Sequence, residues 1–276
     1  MIKFIRLFIL LLFSVSCSIS NTVLRKNSLE LKKINEINYS GEADKILYSD
    51  IHKIYYVMNK TNREIEILDS DGKKINKIGG AGFKNDNFAK LSDMVLSADG
   101  MLITLDGFGK QVKKFDGYGA WKATIKLKNT FEPKLLAIDR QNRYYIYDQQ
   151  KNVILIRDDI SSETVHEFGK FELNNPDKLS ANHDYLIIND YEENSTLIYE
   201  LNGLFDSKTE GIIALEEWNR VIEIEPNIIR IKDSPDCFAV FPEGIKTWEI
   251  DNRCLLAHDG KKIVAYKLVE KRDEDE

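Results

Sequence analysis

YYIYD at residues 144–148 is an apolar run that ends in an aspartate, and similar runs lie on either side of it, LITLD at 102–106 and YLIIND at 185–190. The aspartates Asp106, Asp148 and Asp190 are therefore 42 residues apart twice. A repeat of about 40–50 residues is typical of a β-propeller, because one blade cannot bury its apolar faces alone. The spacing predicts shape more clearly than chemistry.

Outward from this stretch, the chain consists of short apolar strands separated by turn signals such as Asp-Gly and Asn-Gly. Five hairpins follow this pattern; the first spans 53–68, and the fifth runs from 237–241 to 245–250. A further strand precedes many hairpins and another follows, as at 93–96 and 74–78. Four strands per unit is the composition of a propeller blade.

Residues 136–148, LAIDRQNRYYIYD, followed by NVILI at 152–156, resemble an NHL-type propeller repeat. In that family an apolar strand, a turn beginning with Asp, a Tyr-rich strand ending in Asp and a final apolar strand occur in this order. The resemblance covers about residues 45–200. It implies an all-β propeller in which the Phe before each first strand packs between blades.

The blade count follows from length. At about 46 residues per blade, the chain after its first 16 residues holds between five and six blades. Strand-like segments occur at both ends, at 29–31 and at 255–268. Pairing them in one blade would leave no open sheet edge. We therefore predict a six-bladed β-propeller whose closing blade is shared by N- and C-terminal strands, with five blades as the alternative.

The N-terminus carries a targeting signal. A basic start precedes an apolar run at 7–15, which is too short to span a bilayer and fits a secretory signal. The run ends at SVSC, residues 14–17, which resembles the lipobox of bacterial lipoproteins. The resemblance implies that Cys17 is acylated and tethers the protein to a membrane of the bacterial cell envelope, on its periplasmic or surface side. Ordinary cleavage, or an uncleaved anchor, is the alternative.

This division gives a signal at 1–16, a tether with the first strand at 17–44, a propeller at 45–270 and an acidic tail at 271–276. The whole chain is 43% hydrophobic and 30% charged, so it can bury a substantial core. The net charge of −6 and the alternating signs exclude nucleic acid as an expected partner, because phosphate binding requires a concentrated basic face.

The repeated aspartates, Asp106, Asp148 and Asp190, have two interpretations. They could ligate a cation around the axis, but an Asp at a strand end readily caps the following turn, and its recurrence favours that structural role. The four histidines occupy unlike positions: His52, His166, His183 and His258. We therefore expect no metal site, no cofactor and no catalytic residues.

Two cysteines remain besides Cys17. Cys237 is predicted on one strand of the fifth hairpin and Cys254 just beyond the other. A disulfide requires Cα atoms within about 7 Å, which sequence spacing cannot decide.

Aromatic side chains in the predicted loops form a candidate binding face, and they are Phe108, Tyr191, Phe83, Phe131 and Phe171. They either create an exposed apolar surface for a partner or pack between blades. Lysines fall on the same side, among them Lys84 and Lys178, and are expected to be solvated. The sequence predicts a lipid-anchored, non-catalytic propeller that binds an envelope protein or a ligand. The alternative is a metal-dependent propeller hydrolase, lactonase or lyase.

Overall fold

The computed structural model describes residues 28–158, 166–215, 221–225, 228–231, 234–251 and 254–271. These residues contain 24 strands in six four-stranded antiparallel sheets. The innermost strands of most neighbouring sheets contact one another around a central axis. The fold is a six-bladed β-propeller, so the main prediction is confirmed and the five-bladed alternative is wrong. Cys17, the signal at 1–16 and residues 272–276 of the tail lie outside the described residues.

In blades 1 to 5 the chain proceeds from the innermost to the outermost strand. Blade 1 contains β2 (Lys45–Ser49), β3 (Ile54–Asn59), β4 (Glu64–Leu68) and β5 (Lys74–Gly79). Blade 2 contains β6 (Leu91–Leu96), β7 (Leu102–Asp106), β8 (Gln111–Phe115) and β9 (Trp121–Lys126). Blade 3 contains β10 (Pro133–Ile138), β11 (Tyr144–Asp148), β12 (Val153–Arg157) and β13 (His166–Phe168). Blade 4 contains β14 (Lys178–Ala181), β15 (Tyr185–Asp190), β16 (Ser195–Glu200) and β17 (Phe205–Glu210). Blade 5 contains β18 (Ile212–Leu215), β19 (Val221–Glu225), β20 (Ile228–Ile231) and β21 (Ser234–Val240).

Blade 6 closes the ring with strands from both ends of the chain. Its three inner strands are β22 (Thr247–Asp251), β23 (Cys254–His258) and β24 (Lys262–Lys271), and its outermost strand is β1 (Ser28–Asn38). β1 pairs with β24 along its whole length. The predicted sharing of the closing blade is confirmed, and the edge of β24 is thereby covered.

The prediction of a fifth hairpin is wrong. The segment at 237–241 belongs mainly to β21 of blade 5, whereas the segment at 245–250 enters β22 of blade 6. The two segments therefore belong to different sheets, because the chain crosses between blades at this point. Cys237 and Cys254 are not joined by a disulfide; Cys237 lies in blade 5 and Cys254 in blade 6.

Apolar clusters fill the spaces between neighbouring blades. One cluster lies between blades 1 and 2, a second between blades 2 and 3, and a third between blades 3 and 4. Buried tyrosines add polar links across these spaces: the hydroxyl of Tyr56 donates to the carbonyl of Gly117 at 2.7 Å, and that of Tyr145 lies 2.9 Å from the carbonyl of Leu201. Because each such hydroxyl is buried, its partner offsets the cost of desolvation.

The two faces of the ring differ in their loops. We call the upper face the one that carries the links from one blade to the next and the turns between second and third strands. The lower face carries the remaining turns. Within the described part of the chain, no helix has the length and apolar character needed to cross a membrane.

Candidate functional site

A cavity of about 380 Å³ opens on the upper face at the propeller axis, and we call it the upper mouth. Its lining includes residues from the beginnings of the innermost strands, where side chains point towards the axis. The polar and aromatic side chains that the site uses are Lys45, Asp93, Lys178, Glu249, Tyr191 and Trp248. Charged groups of both signs therefore converge where six blades meet.

Two lysines of the upper mouth are positioned in the same way, by the aspartate that precedes each of them in the sequence. Lys45 begins β2 and Lys178 begins β14, and an aspartate precedes each of them. Asp44 accepts the backbone N–H of Lys60 at 2.7 Å, and Asp177 accepts that of Tyr191 at 2.8 Å. Each aspartate thus ties the start of an innermost strand to the neighbouring upper turn, which fixes where the following lysine projects.

Asp93 links three blades. One carboxylate oxygen lies 2.8 Å from the ammonium of Lys45, and the other accepts the backbone N–H of Leu136 at 2.8 Å. The Asp93 side chain is only 6% exposed, and that of Lys45 is 13% exposed. Because water screens this pair weakly, the charges hold blades 1, 2 and 3 in a fixed arrangement around the axis.

Glu249 forms the second ion pair of the upper mouth, with Lys178. The Lys178 ammonium also lies 5.2 Å from the ring centre of Trp248, within the range of a cation–π contact. Glu249 lines the cavities at both ends of the axis. Glu249 therefore lies between the two cavities, where a bound molecule could reach it.

Tyr191 covers one side of this ion pair. Its ring centre lies 6.4 Å from that of Trp248, and 45% of the residue is exposed. Burial raises the pKa of the Tyr191 hydroxyl well above its ordinary value, and the nearby carboxylates of Glu249 and Asp177 raise it further. The hydroxyl therefore keeps its proton at neutral pH, where it can donate a hydrogen bond.

A second cavity, of about 540 Å³, opens at the lower face. It is the larger of the two cavities, but its polar side chains form hydrogen bonds with backbone groups of the turns in which they lie. Asp139 accepts the N–H groups of Gln141 and Arg143 at 2.8 and 2.9 Å, and Ser97 accepts that of Met101 at 3.0 Å. The upper mouth presents charged groups that face the axis, so it is the better candidate for chemistry.

The structure does not bring the three repeated aspartates together. Asp106 accepts the N–H groups of Ala89, Lys90 and Gly109 at 2.9–3.0 Å, and Asp148 accepts those of Phe131, Glu132 and Lys151 at 2.7–3.3 Å. Asp190 accepts the N–H of Glu193 at 2.9 Å. Each carboxylate thus caps its own upper turn, and the first two also hold the incoming link between blades.

The five aromatic residues of the candidate binding face all lie in upper loops. Phe83 and Phe171 are 108% and 91% exposed, Phe108 and Phe131 are 71% and 50% exposed, and Tyr191 borders the upper mouth. Between blades 1 and 2, the packing that the family resemblance implies is provided by a different residue, Phe88, which is 1% exposed. Phe88 is the last aromatic residue before β6, whereas Phe83 lies five residues earlier.

The histidines stay apart, as their positions in the sequence indicate. His183 lies at the lower cavity beside Asp184, whereas His258 is buried and its Nε2 lies 3.2 Å from the carbonyl oxygen of Tyr39. His52 contacts Tyr118 and His166 contacts Phe168. Over the described ranges, no three His, Cys, Asp or Glu side chains are grouped so that they could hold a metal ion.

Sequence reasoning missed most of the upper mouth. Lys178 was expected to be solvated, but its side chain is 13% exposed and paired with Glu249. A signal was present: Asp-Lys occurs at both 44–45 and 177–178, directly before apolar strands. Asp93 and Glu249 are likewise acids inside otherwise apolar segments, which is costly unless they have partners.

Comparison with known proteins gives structural matches alone: no family model and no curated protein sequence matches this chain. Virginiamycin B lyase from Staphylococcus aureus superposes with a TM-score of 0.59 at 14% identity, covering 88% of this chain and 100% of that chain. A catalytically inactive variant of that lyase with quinupristin gives a TM-score of 0.55 at 14% identity over 88% and 100% of the two chains. A streptogramin B lyase gives 0.56 at 12% identity over 88% and 98%.

These matches support the six-bladed propeller, and at 12–14% identity they show the fold alone. The NHL-type resemblance is thus supported only at the level of the propeller. The expectation of a chain that is not an enzyme is overturned by the same comparison, because the propellers that it resembles are lyases. The comparison gives the non-catalytic scaffold no support.

Proposed function

We propose that this protein is a propeller enzyme of the lyase type and that its reaction takes place in the upper mouth. One observation carries the proposal: a carboxylate, an ammonium and a protonated phenol, those of Glu249, Lys178 and Tyr191, meet in one cavity on the axis. The structural likeness to lyases is consistent with it.

An elimination needs a base, an acid and a group that stabilises negative charge. Glu249 takes a proton from the carbon next to an acyl group of the substrate. The electron pair of that C–H bond forms a C=C bond while the neighbouring C–O bond breaks. Tyr191 gives its proton to the departing oxygen, and Lys178 faces the charge that develops on the acyl oxygen. After release, the proton on Glu249 returns through solvent to the tyrosinate.

The remaining residues position this group. Trp248 lies against both Lys178 and Tyr191, so it holds the ammonium and the phenol on the same side of the opening. Lys45 and Asp93, on the adjacent blades 1 and 2, pair with each other and supply a polar wall on one side of the mouth. A substrate with an apolar ring and an acyl group would contact Trp248 and the charged wall together.

The proposal is tested with purified protein and a panel of acyl compounds, including quinupristin and other streptogramin B compounds. Glu249→Gln should lower kcat by about 100-fold or more, because it removes the base and retains the shape. Tyr191→Phe should lower kcat with little change in KM. Glu243→Gln and Tyr118→Phe, which change exposed residues outside the mouth, are the matched controls. Full turnover by Glu249→Gln would show that the chemistry lies elsewhere.

We further propose that Cys17 is acylated and holds the enzyme in the bacterial cell envelope, on its periplasmic or surface side. The support is the SVSC sequence at 14–17 after an apolar run. Incorporation of labelled palmitate into the wild-type chain, and its loss in Cys17→Ser, is the expected result. Equal labelling of the two chains would contradict it. The expected envelope partner protein stays a prediction.

A further inference from the structure

The upper loops of blades 2 and 3 combine positive charge with exposed phenylalanines, and we call this surface the basic aromatic rim. It comprises residues 80–90, 107–110, 127–134 and 149–152, which contain six lysines and two acidic residues. The whole chain has a net charge of −6, so this surface is opposite in sign to the protein that carries it. Charge is therefore segregated on one side of the upper face.

Two phenylalanines of the rim, Phe83 and Phe108, project from the fold, whereas Phe88 is buried between blades. Phe83 is 108% exposed and Phe108 is 71% exposed, and Phe171 in the next upper loop is 91% exposed. Lysines lie against two of the rings: the Lys90 ammonium is 5.1 Å from the centre of Phe108, and that of Lys110 is 5.8 Å from Phe131. Apolar rings and ammonium groups thus alternate over one surface.

We propose that the basic aromatic rim docks on an anionic membrane surface. The lysines are complementary to negatively charged lipid headgroups, and aromatic rings are favoured at the boundary between headgroups and acyl chains. An acidic protein would satisfy the lysines, but it would have to supply an apolar site for each of several separated, exposed rings. A lipid surface accepts such rings wherever they lie, so the observations favour the membrane.

This orientation leaves the proposed active site accessible. The rim occupies blades 2 and 3, whereas Tyr191, Trp248 and Glu249 of the upper mouth belong to blades 4 and 6. The upper turn of blade 4 carries Glu192 and Glu193, which an anionic surface would repel. The propeller would therefore tilt, with the mouth open beside the membrane. The inference does not depend on which reaction the mouth performs.

The chain length before β1 is compatible with docking. β1 begins at the lower face, and its eleven residues cover about 36 Å. Ser28 lies eleven positions after Cys17, and such a segment spans at most about 36–40 Å. Fully extended, this segment can return from the lower face to the level of the upper face beside blade 6.

The test is residue-resolved labelling of lysines by an amine-reactive reagent, on the full chain bound to vesicles. The same full chain, with its apolar N-terminus, is bound to zwitterionic phosphatidylcholine vesicles and to vesicles that also contain phosphatidylglycerol. The two samples therefore differ only in the negative charge of the lipid surface. Lys84 and Lys110 should be labelled about fivefold more slowly on the anionic vesicles. Lys73, an exposed lysine of the lower face, should be labelled equally on both.

Two variants sharpen the test. Phe83→Ser combined with Phe108→Ser should abolish the protection of Lys84 and Lys110, whereas Ile51→Ser, which changes an exposed apolar residue of the lower face, should retain it. Equal labelling of Lys84 and Lys110 on the two vesicle types would overturn the proposal. Protection that appears only when an acidic protein is added, and not with anionic lipid, would overturn it as well.

Discussion

At the scale of single residues, Asp148 and Asp190 occupy the same place in successive blades but have different partners. Both oxygens of Asp148 accept backbone N–H groups, whereas Oδ2 of Asp190 is buried without a hydrogen-bond partner among the described residues. Asp148→Asn would turn an amide N–H towards an N–H donor, so we expect a loss of about 2 kcal/mol in the free energy of unfolding. Asp190→Asn should cost less than about 0.5 kcal/mol. Urea unfolding compares them, and equal losses would contradict this account of the turns.

Buried tyrosine hydroxyls give a second prediction at this scale. The hydroxyl of Tyr56 bonds to Gly117 across two blades, whereas the hydroxyl of Tyr199 is buried and has no partner among the described residues. Tyr56→Phe should lower the free energy of unfolding by about 1–2 kcal/mol because it leaves a buried carbonyl unpaired. Tyr199→Phe should be neutral or slightly stabilising, because it removes an unsatisfied polar group. Thermal unfolding of both variants measures the difference, and a larger loss in Tyr199→Phe would refute it.

At the scale of elements, the closure of the ring depends on β1. Ile37 of this strand is 2% exposed and packs with residues of blades 1 and 6, whereas Ile34 of the same strand is 49% exposed. Ile37→Ala should lower the free energy of unfolding by about 2–4 kcal/mol. Ile34→Ala is the matched control and should cost less than about 1 kcal/mol. Similar losses from the two changes, in urea unfolding, would mean that β1 does not hold the closing blade.

The sequence predicts strands well where short apolar segments are separated by characteristic turn residues such as Asp-Gly and Asn-Gly. The predicted hairpins of blades 2 and 3 agree with the observed strands, because LITLD and YYIYD are each followed by a turn and a further apolar strand. Blade 5 was misassigned because β21 and β22 are neighbours in sequence but belong to different sheets. A turn between strands of one blade and a link between blades have similar compositions, so local signals cannot distinguish them.

The candidate site was harder to predict than the fold. The strands that carry Lys45, Asp93, Lys178 and Glu249 come from four blades, and no local spacing relates them. Their proximity follows from closure of the ring, which brings the innermost strands together only in three dimensions. The exposed upper aromatic residues could be placed on one face because alternating strand directions fix which turns share a face.

At the scale of the whole molecule, buried tyrosines predict loss of stability in alkali. Burial raises the pKa of Tyr55 and of Tyr199 from an ordinary value of 10.0 to about 12. These groups ionise more readily in the unfolded chain. Their contribution to the free energy of unfolding is therefore fully present below pH 10 and is lost as the pH rises through about 12. Guanidinium unfolding at rising pH should show this decline, and Tyr199→Phe should make it shallower. A constant midpoint up to pH 12 would contradict the burial of these groups.

The central claim is that the upper mouth is a centre for elimination, and the mass of the product tests it most directly. Purified protein is incubated with quinupristin and the wider acyl panel, and the products are analysed by mass spectrometry and ultraviolet absorbance. An elimination opens a bond without adding water and creates a new C=C chromophore, and both signals should disappear in Glu249→Gln. A product that has gained one water molecule, or one that Glu249→Gln still forms at the wild-type rate, would contradict the account.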